Sequence, residues 1–499
     1  MARFKPITYL IALLVFMSAH PVLAVGLTNV PGAHHNPHHN LGPENPVLFE
    51  ALFAGKFDLW IRTRYEDVKD DIPDGSPLMD SDKAHLLSTR IQAGYTTARW
   101  RGFYLRGEGE WATRIGSDNN FDAAGDLRFP PGPAGSRIAD RNALIPDSNF
   151  LEINEAFIGW RSATGGCPNA PGPCNGTTSV KLGRQSIIYD NHRWVGDIVW
   201  RNNNQSYDAL RIDNSSIKNV NLSYSNIKKA KRTFGEASPF NEWKFNNGHL
   251  INFSYKFPIG KLVGYGYLLD FKDNHRTPFP EGVGVGPGIV NFDSDTWGLR
   301  FFGKYPLGNA FDLLYDVEYA NQDPTDSASP ALDDNNYTNI ELGVRFGGTR
   351  VDGLGLMPIG EPTYILKVGQ ETLEGNGVNA LQTPLATVHA FNGWIDKFVG
   401  APGGTATPVD GLVDTSLTAT VLGLGAKFIG KNKIVFQYHD YESDRGSTDY
   451  GKEWGILWAK PDLFGNKNVL GAIKYADYDA DDFSVDTEKF WFLMQYRFK

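Results

Sequence analysis

The chain has 499 residues, 57 acidic against 48 basic side chains for a net charge of -9, and 13% aromatic residues. That balance argues against a nucleic-acid partner, which calls for a basic face. Beyond the first residues no apolar run is long enough for a membrane helix, so a helical membrane protein is excluded, and no shift in composition divides the chain into several domains.

At the N-terminus, Arg3 and Lys5 precede the apolar run "ITYLIALLVFM", and Val22-Leu23-Ala24 fits a small-residue cleavage site. This predicts a signal peptide over residues 1–24, with a retained anchor as the alternative. Residues 25–50 place His34, His35, His38 and His39 in a Pro/Gly/Asn tract. A flexible segment is the preferred reading over a metal site, because no carboxylate or Cys completes a rigid ligand set. Residues 51–499 are expected to form one domain.

Within that domain the apolar residues recur with period two. "GNAFDLLYDVEYA" puts Phe311, Leu313, Tyr315, Val317 and Tyr319 on one face and Asp312, Asp316 and Glu318 on the other. "NIELGVRF" and "KFWFLMQYRFK" repeat the pattern. About 18 such segments, each near the ~10 residues of a tilted membrane strand, run from a centre at Leu59 to one at Met494, with a late one near Leu424. Tight links such as "FPIGKL" and "LFGNKN" alternate with long ones around 115–148, 272–292 and 372–418. An all-β, transmembrane antiparallel β-barrel with short periplasmic turns and long extracellular loops follows. In lipid a sheet spans only if it closes and leaves no edge. Trp60, Tyr95, Trp111, Trp160 and Trp297 are candidates for interfacial girdles. Cys167 and Cys174, in "CPNAPGPC", predict a local disulfide in an oxidising compartment.

No G-x-S-x-G, H-E-x-x-H or Walker loop occurs, and "GVGVGPG" at 282–288 reads as a loop tip. His439 beside Asp440, and His192, lack a nucleophile at a recognisable spacing. No catalytic residue, cofactor or metal is expected. If the oily face meets lipid, Arg62, Arg64, Arg90, Arg106, Arg211, Arg300 and Arg345 point inward, with Lys367 and Lys427 as further candidates and Arg193 in a loop over the pore. Glu108, Glu110, Glu152, Asp312, Glu318 and Glu341 share that interior. Arg184 falls in phase with Val180 and Leu182, and needs a bulge or a position beyond the lipid band. Forked guanidinium donors match carboxylates and would line a conduit for an anionic solute. The competing reading is that the charges pair across the wall and stiffen it.

Two stretches, "KLGRQSIIYDNHRWVGDIVWRNNNQSYDALRI" (181–212) and "TPLATVHAFNGWIDKFVGAPGGTATPVDGLVD" (383–414), resemble the alginate export family of outer-membrane barrels. The resemblance extends through most of the mature chain. It implies a monomeric 18-stranded porin whose Arg-lined lumen passes an anionic polysaccharide without ATP, with outer-membrane lipids and periplasmic export machinery as partners. Asn392, Gly393, Trp394, Asp396, Lys397 and Asp414 are then the marks of a structured loop. The family's long periplasmic turn near the C-terminal strands corresponds here to the short "PDLFGNKN". A general oligosaccharide or small-anion uptake porin is the alternative, followed by an outer-membrane enzyme or a surface-binding barrel using its long loops.

Overall fold

The computed structural model describes residues 47–71, 83–116, 143, 145–162, 177–236, 241–272, 293–308, 311–325, 333–347, 362–399, 407–423 and 432–498. The expected signal peptide, the His34–His39 tract, Cys167, Cys174 and Lys427 lie outside these residues.

A short helix, α1 (Leu48–Phe53), leads into β1 (Lys56–Asp70), β2 (Lys83–Thr96), β3 (Phe103–Arg114), β4 (Phe150–Arg161), β5 (Thr178–Gln185) and β6 (Ser206–Asn214). These are followed by β7 (Val220–Lys231), β8 (Glu242–Lys256), β9 (Gly260–Phe271), β10 (Ser294–Leu307), β11 (Phe311–Pro324) and β12 (Asn335–Gly347). The last six are β13 (Thr363–Leu373), β14 (Leu412–Leu422), β15 (Lys433–Glu442), β16 (Asp449–Pro461), β17 (Val469–Asp479) and β18 (Thr487–Phe498). Each strand pairs antiparallel with its neighbours in sequence, and β1 pairs with β18 from Leu59↔Phe498 to Asp70↔Thr487. The sheet is closed, so its lipid-facing backbone has no unpaired edge.

The expected alternation holds along most strands. On β12 and β18, Ile340, Leu342, Phe490, Phe492 and Met494 are exposed on the outside, while Glu453 of β16 and Lys474 of β17 are buried inside. Three readings need correction. The strand expected near Leu424 is β14, which begins at Leu412, so Asp414 belongs to a strand rather than to the loop before it. Trp60 is not in the outer girdle: it faces inward and is buried. Residues 48–50, expected to be flexible, open α1.

A β-bulge explains a further departure. Where β3 meets β4, the register shifts between Glu108 and Gly109, which pair with Glu155 and Ile153. The extra residue, Asn154, lets two successive side chains, Asn154 and Glu155, turn inward. Strict alternation would have sent Glu155 into lipid.

Packing between strands relies on aromatic rings laid over glycines. On the β9–β10 pair, Tyr265 lies against Gly298 on the inner face and Trp297 against Gly266 on the outer face. A side chain at Gly298 would displace the Tyr265 ring, whose hydroxyl donates to Glu318 at 2.6 Å. Gly298→Val is therefore expected to destabilise the barrel by about 1–3 kcal/mol, read as a lower unfolding midpoint in vesicles; an unchanged midpoint would contradict this packing.

Candidate functional site

Two connectors on the long-loop side turn into the barrel. Loop A joins β5 to β6 (186–205), and loop B joins β13 to β14 (374–411). Their backbones are stitched together: Gly196 N donates to Leu385 O at 2.9 Å and Thr387 N to His192 O at 3.0 Å. Ile187, Tyr189 and Trp194 of loop A and Leu385, Ile395 and Phe398 of loop B join one apolar cluster with Tyr207, Tyr265, Tyr337, Tyr441 and Trp491 of the wall. The interior at this level is packed like a protein core.

Arg62, Arg64 and Arg90 point inward, but a conduit role does not follow for them, because all three are buried beneath loop A. Arg62 Nη1 donates to Val199 O at 2.8 Å, Arg64 Nη1 to Trp200 O, and Arg90 Nη1 to Arg201 O at 3.2 Å and Asn204 Oδ1 at 2.9 Å. The charges of Arg64 and Arg90 meet carboxylates as well. Arg64 pairs with Asp147 and with Glu66 at 3.3 Å, and Arg90 with Glu110 at 3.3 Å. A guanidinium offers five N–H donors in a fork and no acceptor, which suits it to hold carbonyl oxygens that a buried loop would otherwise leave unsatisfied.

Arg106 is likewise enclosed, by Asp58, Glu108 and Glu155, the last of these delivered by the bulge. Arg193 of loop A pairs with Glu371 of β13 at 2.7 Å, donates to Asn392 Oδ1 of loop B at 3.1 Å, and stacks over Phe391. It ties the loops to each other and to the wall. Glu152 faces Lys231 at 3.6 Å, and Glu318 accepts from Trp194, Tyr265 and Arg300. Arg300 is held mainly by Asp316, and Arg211 by Asp213 at 3.0 Å. Arg184, near the long-loop end of β5, is partly exposed and pairs with Asp208 at 2.7 Å, next to a register shift between Asp208 and Ala209 on β6.

Toward the short-connector end the interior opens. Lys367 pairs with Glu341 at 2.6 Å, and both are about one-third exposed. Arg345, opposite Asp312 in the β11–β12 register, is half-buried, as is Lys433, and Lys304 is exposed. None of Lys304, Arg345 and Lys433 forms an ion pair among the described residues. Lys304 and Lys433 were missed in the sequence because each stands at a strand end, where a turn lysine and a lumen lysine look alike.

The motif of loop B is a tongue sewn to successive strands. Asn392 Nδ2 donates to Glu371 on β13 at 2.7 Å and to Asp414 on β14 at 3.2 Å. Asp414 also receives His439 Nδ1 of β15 at 2.8 Å. Glu453 of β16 accepts the Trp394 and Ile395 amides, Lys474 of β17 meets His389 Nε2 at 2.7 Å, and Lys489 of β18 donates to Ile395 O at 2.6 Å. Lys397 reaches Thr487 Oγ1 at 2.7 Å. Lys474 stands among three indoles, Trp394 at 4.0 Å, Trp200 at 4.5 Å and Trp491 at 4.9 Å, a desolvated cation–π arrangement. Asn392, Gly393 and Asp396 adopt positive φ, and a Cβ on Gly393 would collide with Glu453 and Tyr441.

Asp396 closes the network between the loops, accepting from His389 Nδ1 at 2.8 Å and from Arg201 Nη2 of loop A at 2.7 Å. Burial alone would raise its carboxyl, but the His389 ring and the Arg201 guanidinium outweigh that and hold it well below the usual range. Burial pushes the His389 imidazole down from 6.5 to about 3, against the opposing pull of Asp396. His439 and Asp440, adjacent in sequence, sit on opposite faces of β15: His439 is buried inside, and Asp440 lies on the outward face. Among the described residues, no group of three His, Cys, Asp or Glu is placed to hold a metal ion.

A family model described as Alginate export matches residues 110–225, from β3 through loop A into β7. The expected resemblance is thus found over the first of the two stretches, while residues 383–414 fall outside the match. Among solved structures, Pseudomonas aeruginosa OccK9 (OpdG) is similar at 12% identity and a TM-score of 0.59, over 90% of this chain and 99% of that one. Pseudomonas aeruginosa OpdK with vanillate gives 10% identity and 0.59 over the same shares. Acinetobacter baumannii OccAB4 gives 11% and 0.57, over 89% of this chain and 98% of that one. At these identities the likeness is one of fold, the 18-stranded barrel of outer-membrane porins. The search of curated proteins gives no match.

Two outcomes test the tongue. A released loop takes up a proton on His389 below about 6.5, whereas the docked loop does so only near 3. Docking is therefore fully favoured above the higher value and weakens as pH falls between the two. Cleavage of loop B by an acid-tolerant protease should rise across that window, and His389→Gln should flatten the profile; a flat wild-type profile contradicts the latch. Gly393→Val should unseat the tongue, raising single-channel conductance without loss of heat-modifiable gel migration; unchanged conductance counts against it.

Proposed function

We propose that the chain is a passive outer-membrane channel for anionic solutes of the carboxylate class, acidic saccharides included. The observation that carries this reading is the arc of cations on β10, β12, β13 and β15, where Lys304, Arg345, Lys367 and Lys433 face the open end of the lumen. Such an arc raises the local concentration of anions without holding any one of them tightly. The packed loops above it support a selective passage over a wide one, since a solute must pass the tongue or wait for it to move. The barrel acts as a monomer in the lipid of the outer membrane and assigns its polar groups to binding rather than to catalysis.

Export of an anionic, alginate-like polysaccharide is the second reading, favoured by the family match over residues 110–225. In that case the tongue must withdraw for a polymer to pass, and periplasmic machinery would present the chain end. Current block by uronate oligomers of increasing length separates the two: block that ends in passage at every length favours the polymer, and passage of monomers alone favours the solute.

Reversal potentials in a KCl gradient test the shared premise. The wild type should prefer anions, and Lys304→Glu, Arg345→Glu and Lys433→Glu together should reduce that preference on the order of tenfold. A cation-selective wild type, or selectivity untouched by the triple variant, overturns the proposal.

A further inference from the structure

The helix before the first strand is fixed to the outside of the barrel. Tyr95 stands on the outward face of β2, between the inward residues Gly94 and Thr96. Its hydroxyl donates to Leu52 O at 2.9 Å and accepts Gly55 N at 2.9 Å, so it grips the C-terminal end of α1 from the lipid side of the wall. Ala51 is the one buried residue of the helix, and its carbonyl receives Ala98 N at 2.9 Å from the β2–β3 turn. Everything else that is apolar there is bare. Phe49 and Phe53 are 72% and 71% exposed, Leu48 51% and Leu52 37%, and the two phenyl rings pack on each other at 4.9 Å.

Six residues make too short a helix to hold itself in water, and one buried alanine gives it little packing to compensate. A surface that accepts Leu48, Phe49, Leu52 and Phe53 would supply it. The neighbouring wall already presents such a surface, since Phe103 and Leu105 of β3 face lipid at the same end. Charge does not oppose this: close to the helix, the β2–β3 turn presents the exposed cation Arg101, and Glu50 is the one acidic residue of α1. We infer that α1 is an interfacial anchor bedded in the phospholipid leaflet at the short-connector rim, with Phe49 and Phe53 at the acyl boundary and Arg101 among the phosphates. An amphipathic segment of this kind lies in the interface plane and does not span.

The test uses the full barrel refolded into vesicles of phosphatidylethanolamine and phosphatidylglycerol, in a Cys167→Ser, Cys174→Ser background. A nitroxide is placed at Phe49→Cys, at the lipid-facing Leu105→Cys and at the exposed loop position Ser447→Cys. The Phe49 label should collide with oxygen in preference to a water-soluble nickel chelate, as the Leu105 label does. A ratio like that of Ser447 would leave α1 in water, and shielding from both reagents would mean that protein rather than lipid covers it; either result overturns the anchor. With a label at Leu48→Cys, the added pair Phe49→Asp and Phe53→Asp should shift the ratio toward the aqueous value in barrels that still migrate as folded. No shift in such barrels also overturns it.

Discussion

The donation of three wall guanidinium groups to the backbone of loop A sets the character of the interior. Arg62, Arg64 and Arg90, on adjacent strands, hold the carbonyls of Val199, Trp200 and Arg201. A loop drawn away from water must have its polar backbone satisfied by something. Arginine does so here while the charges of Arg64 and Arg90 are met by Glu66, Asp147 and Glu110. Removing one partner from such a buried set leaves the rest unpaired, so the members act as a unit rather than as separate contacts.

Loop B depends on loop A. Arg193 and Arg201 are the two cations that loop A extends to it, one to Asn392 and one to Asp396. The tongue then takes hydrogen-bonding partners from β13, β14, β16, β17 and β18, while β15 supports it at one remove through the His439–Asp414 pair. The permissive backbone of Gly393 lets the chain pass flat against Glu453, and the positive φ values of Asn392 and Asp396 turn the flanking side chains toward their partners.

The barrel was legible in the sequence because period-two alternation has one physical cause in a membrane: hydrocarbon outside and polar groups inside. The same alternation tells which way Arg62 or Arg90 points, but not what it meets, since the partner lies more than 100 residues away on a loop with no periodicity. Glu155 was hidden for another reason: a single-residue bulge inverts the phase without leaving a mark in composition. The tongue could be recognised as structured from Phe391 to Lys397, yet nothing in the sequence singled out its partners Glu453, Lys474 and Lys489, each isolated on its own strand.

The charges between the loops also bear on how the cylinder holds shut. The first and last strands meet where β1 pairs with β18, and from inside that joint is bridged by one chain of contacts. Glu66 of β1 holds Arg201, Arg201 holds Asp396, and the neighbouring Ile395 carbonyl is held by Lys489 of β18. The plug is thus a clasp across the seam. Parting the first and last strands would pull Arg201 and Asp396 toward opposite lips, so the barrel cannot unzip at its natural joint while both loops stay seated.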